Sequence, residues 1–170
     1  MIVVKNILKE MAGTAKIRRL GWSLEWMQRI SEKGNENLGQ LGYTDHSQIH
    51  CSIVADTAAM ILKRFGYCEH DIELAKIAGY MHDIGNAINR SHHAEYGGLL
   101  ANEILKKSDM DIKDRITIVS AISNHDESTG GAVDVVSAAL IIADKTDVRR
   151  DRVRLSLIHI SEPTRQEAIS

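Results

Sequence analysis

Apolar residues recur three and four positions apart along most of the chain, which is the spacing of one face of an α-helix. Strand-like alternation is rare, and Pro163 is the only proline in the sequence. The pattern therefore predicts an all-α fold. The first predicted helical region, over residues 2–38, is interrupted near Gly13 and Gly21. The later predicted helices cover residues 46–65, 71–85, 93–107, 113–124 and 133–147.

Capping residues mark several of these boundaries. Asp45 suits the N-cap of the second helix because its side chain can accept a hydrogen bond from a free backbone N–H. Gly66 is a natural stop after Phe65, since glycine adopts the left-handed conformation that often ends a helix. The polar and glycine-rich residues 128–131 predict a loop. We see no repeat and no internal linker, so the helices form one domain.

Six imidazole and carboxylate side chains lie within otherwise apolar helical stretches. They are His50, His82, Asp83, His93, His125 and Asp144. A single histidine on an apolar face is more often a packing residue than a ligand. A buried aspartate without a partner, however, costs several kcal/mol. One cation between the helices would satisfy all six groups, and these are the side chains that hold divalent transition metals. The sequence therefore predicts a metal site between helices.

This set and its order resemble the HD-domain superfamily of metal-dependent phosphohydrolases, whose signature runs H…HD…D. His50 matches the first histidine because Val54-Ala55 follow it, whereas His46 does not fit. His82-Asp83 match the central doublet, and Asp144 matches the final aspartate. The resemblance implies a single HD-domain helical bundle over residues 43–154, preceded by an N-terminal helical region over residues 1–42.

His93 and His125 match the additional histidines of HD members that bind two metals. One cation would then be held by His50, His82, Asp83 and Asp144. The second would be held by His93 and His125, with Asp83 as the bridge. Asp126 stands where two-metal relatives often have another histidine, and it is a candidate to complete that second site.

Two cations that share a water can lower its pKa and hold a phosphoryl group during attack. Mn²⁺, Fe²⁺, Co²⁺ and Zn²⁺ all suit mixed histidine and carboxylate ligands, and Mg²⁺ is a further candidate. Asp83 and Lys145 are the predicted catalytic residues, and Arg90 is a second candidate for binding substrate. Many family members have lysine directly after HDIG. Here Asn86 takes that place, which puts the phosphate contact of that lysine in doubt.

Other polar groups are assigned simpler roles. His46 and His70 are predicted to be surface or capping residues. The arginines at positions 149, 150, 152 and 154 are predicted to form a solvated helix end. Cys51 and Cys68 have no metal or redox spacing, so we interpret them as small reduced hydrophobes.

Charge and hydropathy restrict the partners. The formal net charge is -2, which gives no basic field for general nucleic-acid binding. No apolar run is long enough for a signal-peptide core or a membrane span. We therefore expect a cytoplasmic protein, and the resemblance to the HD family implies a small phosphorylated substrate, a nucleotide being one option. The oligomeric state stays open.

Residues 155–165, LSLIHISEPTR, resemble the conceptual translation of a transposon adapter used in sequencing libraries. We interpret residues 155–170 as an artefactual tail and the HD domain as truncated near Arg154.

The leading functional hypothesis is a phosphohydrolase that cleaves a phosphomonoester, nucleotide or phosphodiester with metal-activated water. One alternative is a di-iron oxygenase of the same fold, which some H…HD…H…H…D members resemble. Another is a non-catalytic sensing module that keeps its metals for structure. The intact set of six side chains argues against the last.

Overall fold

The computed structural model describes residues 21–43 and 46–148, with side chains from residue 25 onward. All regular structure in these ranges is helical, so the all-α prediction is confirmed. The elements are α1 (Gly21–Gln40), α2 (Gln48–Arg64), α3 (Glu69–Met81), a 3₁₀ helix (Ile84–Ala87), α4 (His93–Leu105), α5 (Ile112–Ser123) and α6 (Val135–Thr146).

Several features predicted from the sequence concern residues that the structure does not describe. The helix before residue 21, the arginines from position 149 onward and the tail over residues 155–170 lie outside the described part of the chain. Asp45 does too, and α2 begins at Gln48 with Ser47 at its N-cap. Among the described residues, no helix is long and apolar enough to cross a bilayer.

The helical hairpin of α2 and α3 is packed through small residues. A Cβ atom added to Gly79 would lie 2.7 Å from the Cα of Ala55, so the two backbones touch at this point. Ala58 and Ala75 are also fully buried in the core. This close crossing brings the first turn of α2 next to the last turn of α3, where His50 and His82 lie.

The remaining helices surround this hairpin. α6 packs against α2, α3 and α5, while α4 packs against α5 and the 3₁₀ helix. α1 packs on the 3₁₀ helix, where the Nδ2 of Asn37 donates to the carbonyl oxygen of Ala87 at 3.2 Å. α6 starts with a capping box in which the Asp134 side chain accepts from the backbone N–H of Ser137. At the other end of α6, Asp147 contacts His50 of α2.

The predicted continuation of α3 to residue 85 is wrong, because the helix ends at Met81. His82 and Asp83 occupy the break between α3 and the 3₁₀ helix. Only glycine fits at position 85 after the break, since a Cβ there would collide with the carbonyl oxygen of His93. The start of α4 therefore rests directly on the backbone of Gly85, and this contact carries His93 toward the doublet.

Candidate metal centre

His50 is fully buried in the first turn of α2 and is held from behind by a carboxylate. Its Nδ1 lies 2.7 Å from the Oδ2 of Asp147. Its Nε2 faces the opposite way, 3.2 Å from the Oδ1 of Asp144 and 3.6 Å from the Oδ2 of Asp83. A carboxylate behind a histidine is the usual outer partner of a metal ligand, because it fixes the ring and leaves the other nitrogen for the metal.

His82 is oriented in the same manner by the backbone. Its Nδ1 donates to the carbonyl oxygen of Gly79 at 2.8 Å. Its Nε2 lies 3.2 Å from the Oδ2 of Asp83 and 3.6 Å from the Oδ1 of Asp144. Both imidazoles thus point their free nitrogen at the same two carboxylates.

These two Nε2 atoms are buried and have no hydrogen-bond partner of good geometry among the described residues. Since each Nδ1 already acts as the donor, a neutral ring presents a bare lone pair to carboxylate oxygens. Lone pairs that face each other in a buried site repel, and a positive charge at their centre turns the repulsion into attraction. His50, His82 and Asp144 therefore fit a divalent cation, and their ligand atoms lie within 4.8 Å of one another.

The pKa values of the cluster also indicate that it is stabilised by positive charge. Burial lowers the pKa of His82, but the Asp83 and Asp144 carboxylates outweigh it and hold that pKa well above its usual range. Burial raises the pKa of Asp83, yet the neighbouring His82 and His46 bring it well below the usual range. Burial raises the pKa of Asp144, but the neighbouring imidazoles of His50 and His82 bring it well below its usual range.

A second pair of histidines lies on the other side of Asp83. The Nδ1 of His93 donates to the carbonyl oxygen of Arg90 at 3.0 Å, and that of His125 donates to Ile122 at 2.7 Å. Their Nε2 atoms then face each other at 3.2 Å. The Oδ1 of Asp83 lies 3.9 Å from the Nε2 of His93. The ligand atoms of Asp83, His93 and His125 lie within 4.8 Å of one another, which fits a second cation.

Burial keeps this pair neutral. Desolvation lowers the pKa of His93, and it lowers the pKa of His125 to about 4, with the charge of His82 adding to the effect. Two neutral imidazoles with opposed lone pairs are the arrangement that a transition metal relieves.

The depressed pKa of His125 gives a pH dependence to the metal-free protein. The unfolded residue takes up a proton near pH 6.5 and the folded one near pH 4, so below about pH 6.5 the unfolded state binds more protons. The free energy of unfolding should therefore decrease as the pH is lowered. The contribution of His125 to this decrease is about 2 kcal/mol between pH 7 and pH 5.

Urea denaturation of chelator-treated protein checks this pH dependence. His125→Gln removes the titrating group and leaves His82 in place, so the variant should lose less stability than the wild type over the same range. Equal losses in the two proteins would contradict the prediction.

His46 is the main residue that the sequence interpretation missed. Its predicted surface role is wrong, because its side chain is only 11% exposed and its Nδ1 lies 2.5 Å from the Oδ2 of Asp83. The backbone N–H of His46 donates to the Oδ1 of Asn35 at 3.0 Å, which ties this segment to α1. His46 lies before the N-cap of α2, so helical spacing gave no signal for its position. His70, by contrast, is more than half exposed and pairs with Asp114.

Asp147 and Cys51 were also missed. Asp147 follows Asp144 by three residues, which places both carboxylates on the side of α6 that faces His50. Cys51 packs in the core as predicted, but its Sγ also lies within 4.8 Å of ligand atoms of His82 and Asp83.

The structure also shows the surroundings of three other candidates, whose predicted roles stay predictions. Asp126 lies 3.7 Å from the Nδ1 of His93, on the side away from the Nε2 pair. Lys145 is half exposed, and its Nζ forms a 2.7 Å ion pair with the Oε2 of Glu127. Burial opposes the shift, but this ion pair raises the pKa of Lys145. Arg90 lies with its guanidinium carbon 5.5 Å from the centre of the Tyr43 ring.

Residues 48–158 match the family model of the HD domain, and the chain therefore belongs to the HD domain family. Members of this family are generally metal-dependent hydrolases, and HD domains bind divalent metals. The match extends into the segment that we interpret as an adapter-derived tail, so the boundary near Arg154 stays a prediction.

Among individual proteins, the chain is similar to Uncharacterized protein MJ1020 of Methanocaldococcus jannaschii. The two are 27% identical over an alignment of 141 positions, and the alignment covers 71% of this chain and 54% of that protein. The chain thus spans about half the length of this relative. No solved structure matches the chain.

Proposed function

We propose that the protein is a phosphohydrolase that uses two divalent cations to cleave a small phosphorylated substrate. The observation that carries the proposal is the division of the Asp83 carboxylate. Its Oδ2 faces His50 and His82, and its Oδ1 faces His93. One carboxylate between two sets of imidazoles is the arrangement that bridges two metals. When bound, the cations would supply an activated water and neutralise the phosphoryl oxygens.

The charge of the site supports a metal-dependent rather than a metal-free mechanism. Asp83, Asp144, Asp147 and Asp126 all lie within the cluster or against one of its histidines. A phosphate would be repelled by this negative charge unless cations were bound first. The residues of the chain therefore hold and orient the cations, and the substrate anion follows them.

Lys145 is the described cation that we propose to assist the substrate, because the charges of Asp144 and Asp126 at the site reach it and contribute to its raised pKa, after the ion pair with Glu127. Its ion pair with Glu127 is half exposed and therefore weak. An incoming phosphate can replace the Glu127 carboxylate as the partner of Lys145 with little loss. We expect Lys145→Ala to raise KM about tenfold, the equivalent of ~1.4 kcal/mol, without changing the metal content.

Lys106→Ala is the matched control, because Lys106 also pairs with a glutamate on the surface but lies at the far end of α4. Steady-state kinetics and elemental analysis of both variants separate the two cases. Identical kinetics in the two variants would remove Lys145 from the substrate site.

The proposal is tested with chelator-treated protein reloaded with Mn²⁺, Fe²⁺, Co²⁺, Zn²⁺ or Mg²⁺. The substrates are a phosphomonoester, a phosphodiester and a set of nucleotides, each assayed in air and under anaerobic conditions. We expect release of phosphate or of a phosphomonoester that needs a metal and is independent of oxygen. Turnover that needs both iron and oxygen would identify the oxygenase alternative. Stable metal binding without turnover would identify the sensing module. Either outcome overturns the proposal.

A further inference from the structure

Asn86 lies where many HD members have a lysine, and in this chain it is directed at the metal centre rather than at solvent. It is only 3% exposed within the 3₁₀ helix. Its Nδ2 donates to the Oδ1 of Asp83 at 2.7 Å and to the backbone carbonyl of Asp83 at 3.0 Å. Both donor hydrogens of the amide are therefore used on the residue that faces both sets of imidazoles.

Arg90 determines which way the Asn86 amide points. The NH1 of Arg90 donates to the Oδ1 of Asn86 at 3.3 Å. A guanidinium has no acceptor, so the amide oxygen must face Arg90 and the amide NH₂ must face Asp83. Tyr43 lies beneath the guanidinium and helps to hold it. The flipped amide, which would set an oxygen against the carboxylate, is thereby excluded.

The contacts with Asn86 and His46, one at each oxygen, together fix the rotation of the Asp83 carboxylate. The Oδ2 of Asp83 faces His46, His50 and His82, while Oδ1 accepts from Asn86 and is the oxygen nearer to His93. A carboxylate oxygen has two lone pairs, so Oδ1 can accept from Asn86 and still bind a cation. His46 holds Oδ2 on the opposite side, and Asn86 is the described side chain that donates a hydrogen bond to Oδ1.

We propose that Asn86 is a positioning residue that directs Asp83 Oδ1 to the cation held by His93 and His125, with Arg90 fixing the Asn86 amide. The inference rests on the two-metal centre of the proposed function but not on its substrate. Removal of an outer partner of a metal ligand typically weakens metal binding about 10–100-fold. The effect should fall on the second cation, because the first also has His50, His82 and Asp144.

The test is a stepwise titration of chelator-treated protein with Mn²⁺ and with Zn²⁺ in competition with a chromophoric chelator. The wild type should bind two equivalents. Asn86→Ala should weaken the second equivalent about 10–100-fold and the first much less. Arg90→Gln, which acts from one residue further away, should shift the second equivalent in the same direction by a smaller factor.

Asn37→Ala is the matched control. The Asn37 amide also binds this segment, at the backbone carbonyls of Asn86 and Ala87, but it makes no contact with Asp83 that we describe. A purely structural role would lower the melting temperature of both asparagine variants and leave the ratio of the two metal affinities unchanged. That result, or a wild type that binds one cation only, would overturn the proposal.

Arg90→Gln keeps the test decisive if Asn86→Ala fails to fold. An unchanged affinity ratio in Arg90→Gln would then count against the inference. Two cations bound by a wild type that hydrolyses no phosphoester would refute the proposed function and leave this inference standing.

Discussion

Replacement of Asp83 by alanine is expected to reduce phosphoester hydrolysis about 10³-fold, since metal stabilisation of the transition state amounts to several kcal/mol. Asp83 is the one described carboxylate that faces both sets of imidazoles, so its loss disrupts both candidate cation sites. Asp83→Asn is a stricter version, because it keeps the size of the side chain and removes its charge. We expect both variants to lose metal in elemental analysis.

Asp56→Ala serves as the control for this experiment. Asp56 is exposed and pairs with Lys76 on the hairpin surface, so its loss should leave turnover and metal content unchanged. Circular dichroism establishes that each variant is folded. Near-normal turnover with wild-type metal content in Asp83→Ala would refute the two-metal mechanism.

A divalent metal is expected to stabilise the fold strongly. At a free concentration about one hundred times its Kd, a cation adds about 2.7 kcal/mol to the free energy of unfolding. For a chain of this size that corresponds to a rise in Tm of roughly 5–10 °C. The physical reason is that the opposed lone pairs and crowded carboxylates of the site are costly without a positive charge between them.

Differential scanning calorimetry with and without Zn²⁺ measures this increment. His82→Ala should lose most of it, whatever its own stability, because His82 is one of the three side chains that fit the first cation. His70→Ala is the control for metal binding by surface or unfolded histidines and should keep the full increment. An equal increment in His82→Ala would show that the cation binds elsewhere.

The pattern of apolar residues predicted most of the helices, but it did not predict how the chain is arranged where they end. His50, His82 and His125 could be assigned to apolar faces because helical periodicity fixes the direction of a side chain relative to its own helix. The end of α3 was misplaced because glycine was taken as the stop signal, whereas the helix ends at Met81 and Gly85 packs against the start of α4.

The same limitation explains the residues that were missed. His46 precedes α2, where no periodicity applies, so its approach to Asp83 is a property of the folded chain. Asp147 follows α6 and contacts His50, which lies 97 positions earlier in the sequence. The resemblance to the HD family supplied the order of the six candidates. The outer partners Asp147 and Asn86 are visible only where the helices meet.

The distances along the chain between the residues of this centre have a kinetic consequence. His50 and Asp147 are separated by 97 positions, and His93 and His125 by 32. Contacts across such separations close long loops, which is slow and favours their formation late in folding. Interactions that form after the transition state slow unfolding and hardly change the folding rate. A bound cation should therefore lower the rate of unfolding. The time for which the folded protein resists proteases should then depend on how fast the metal dissociates.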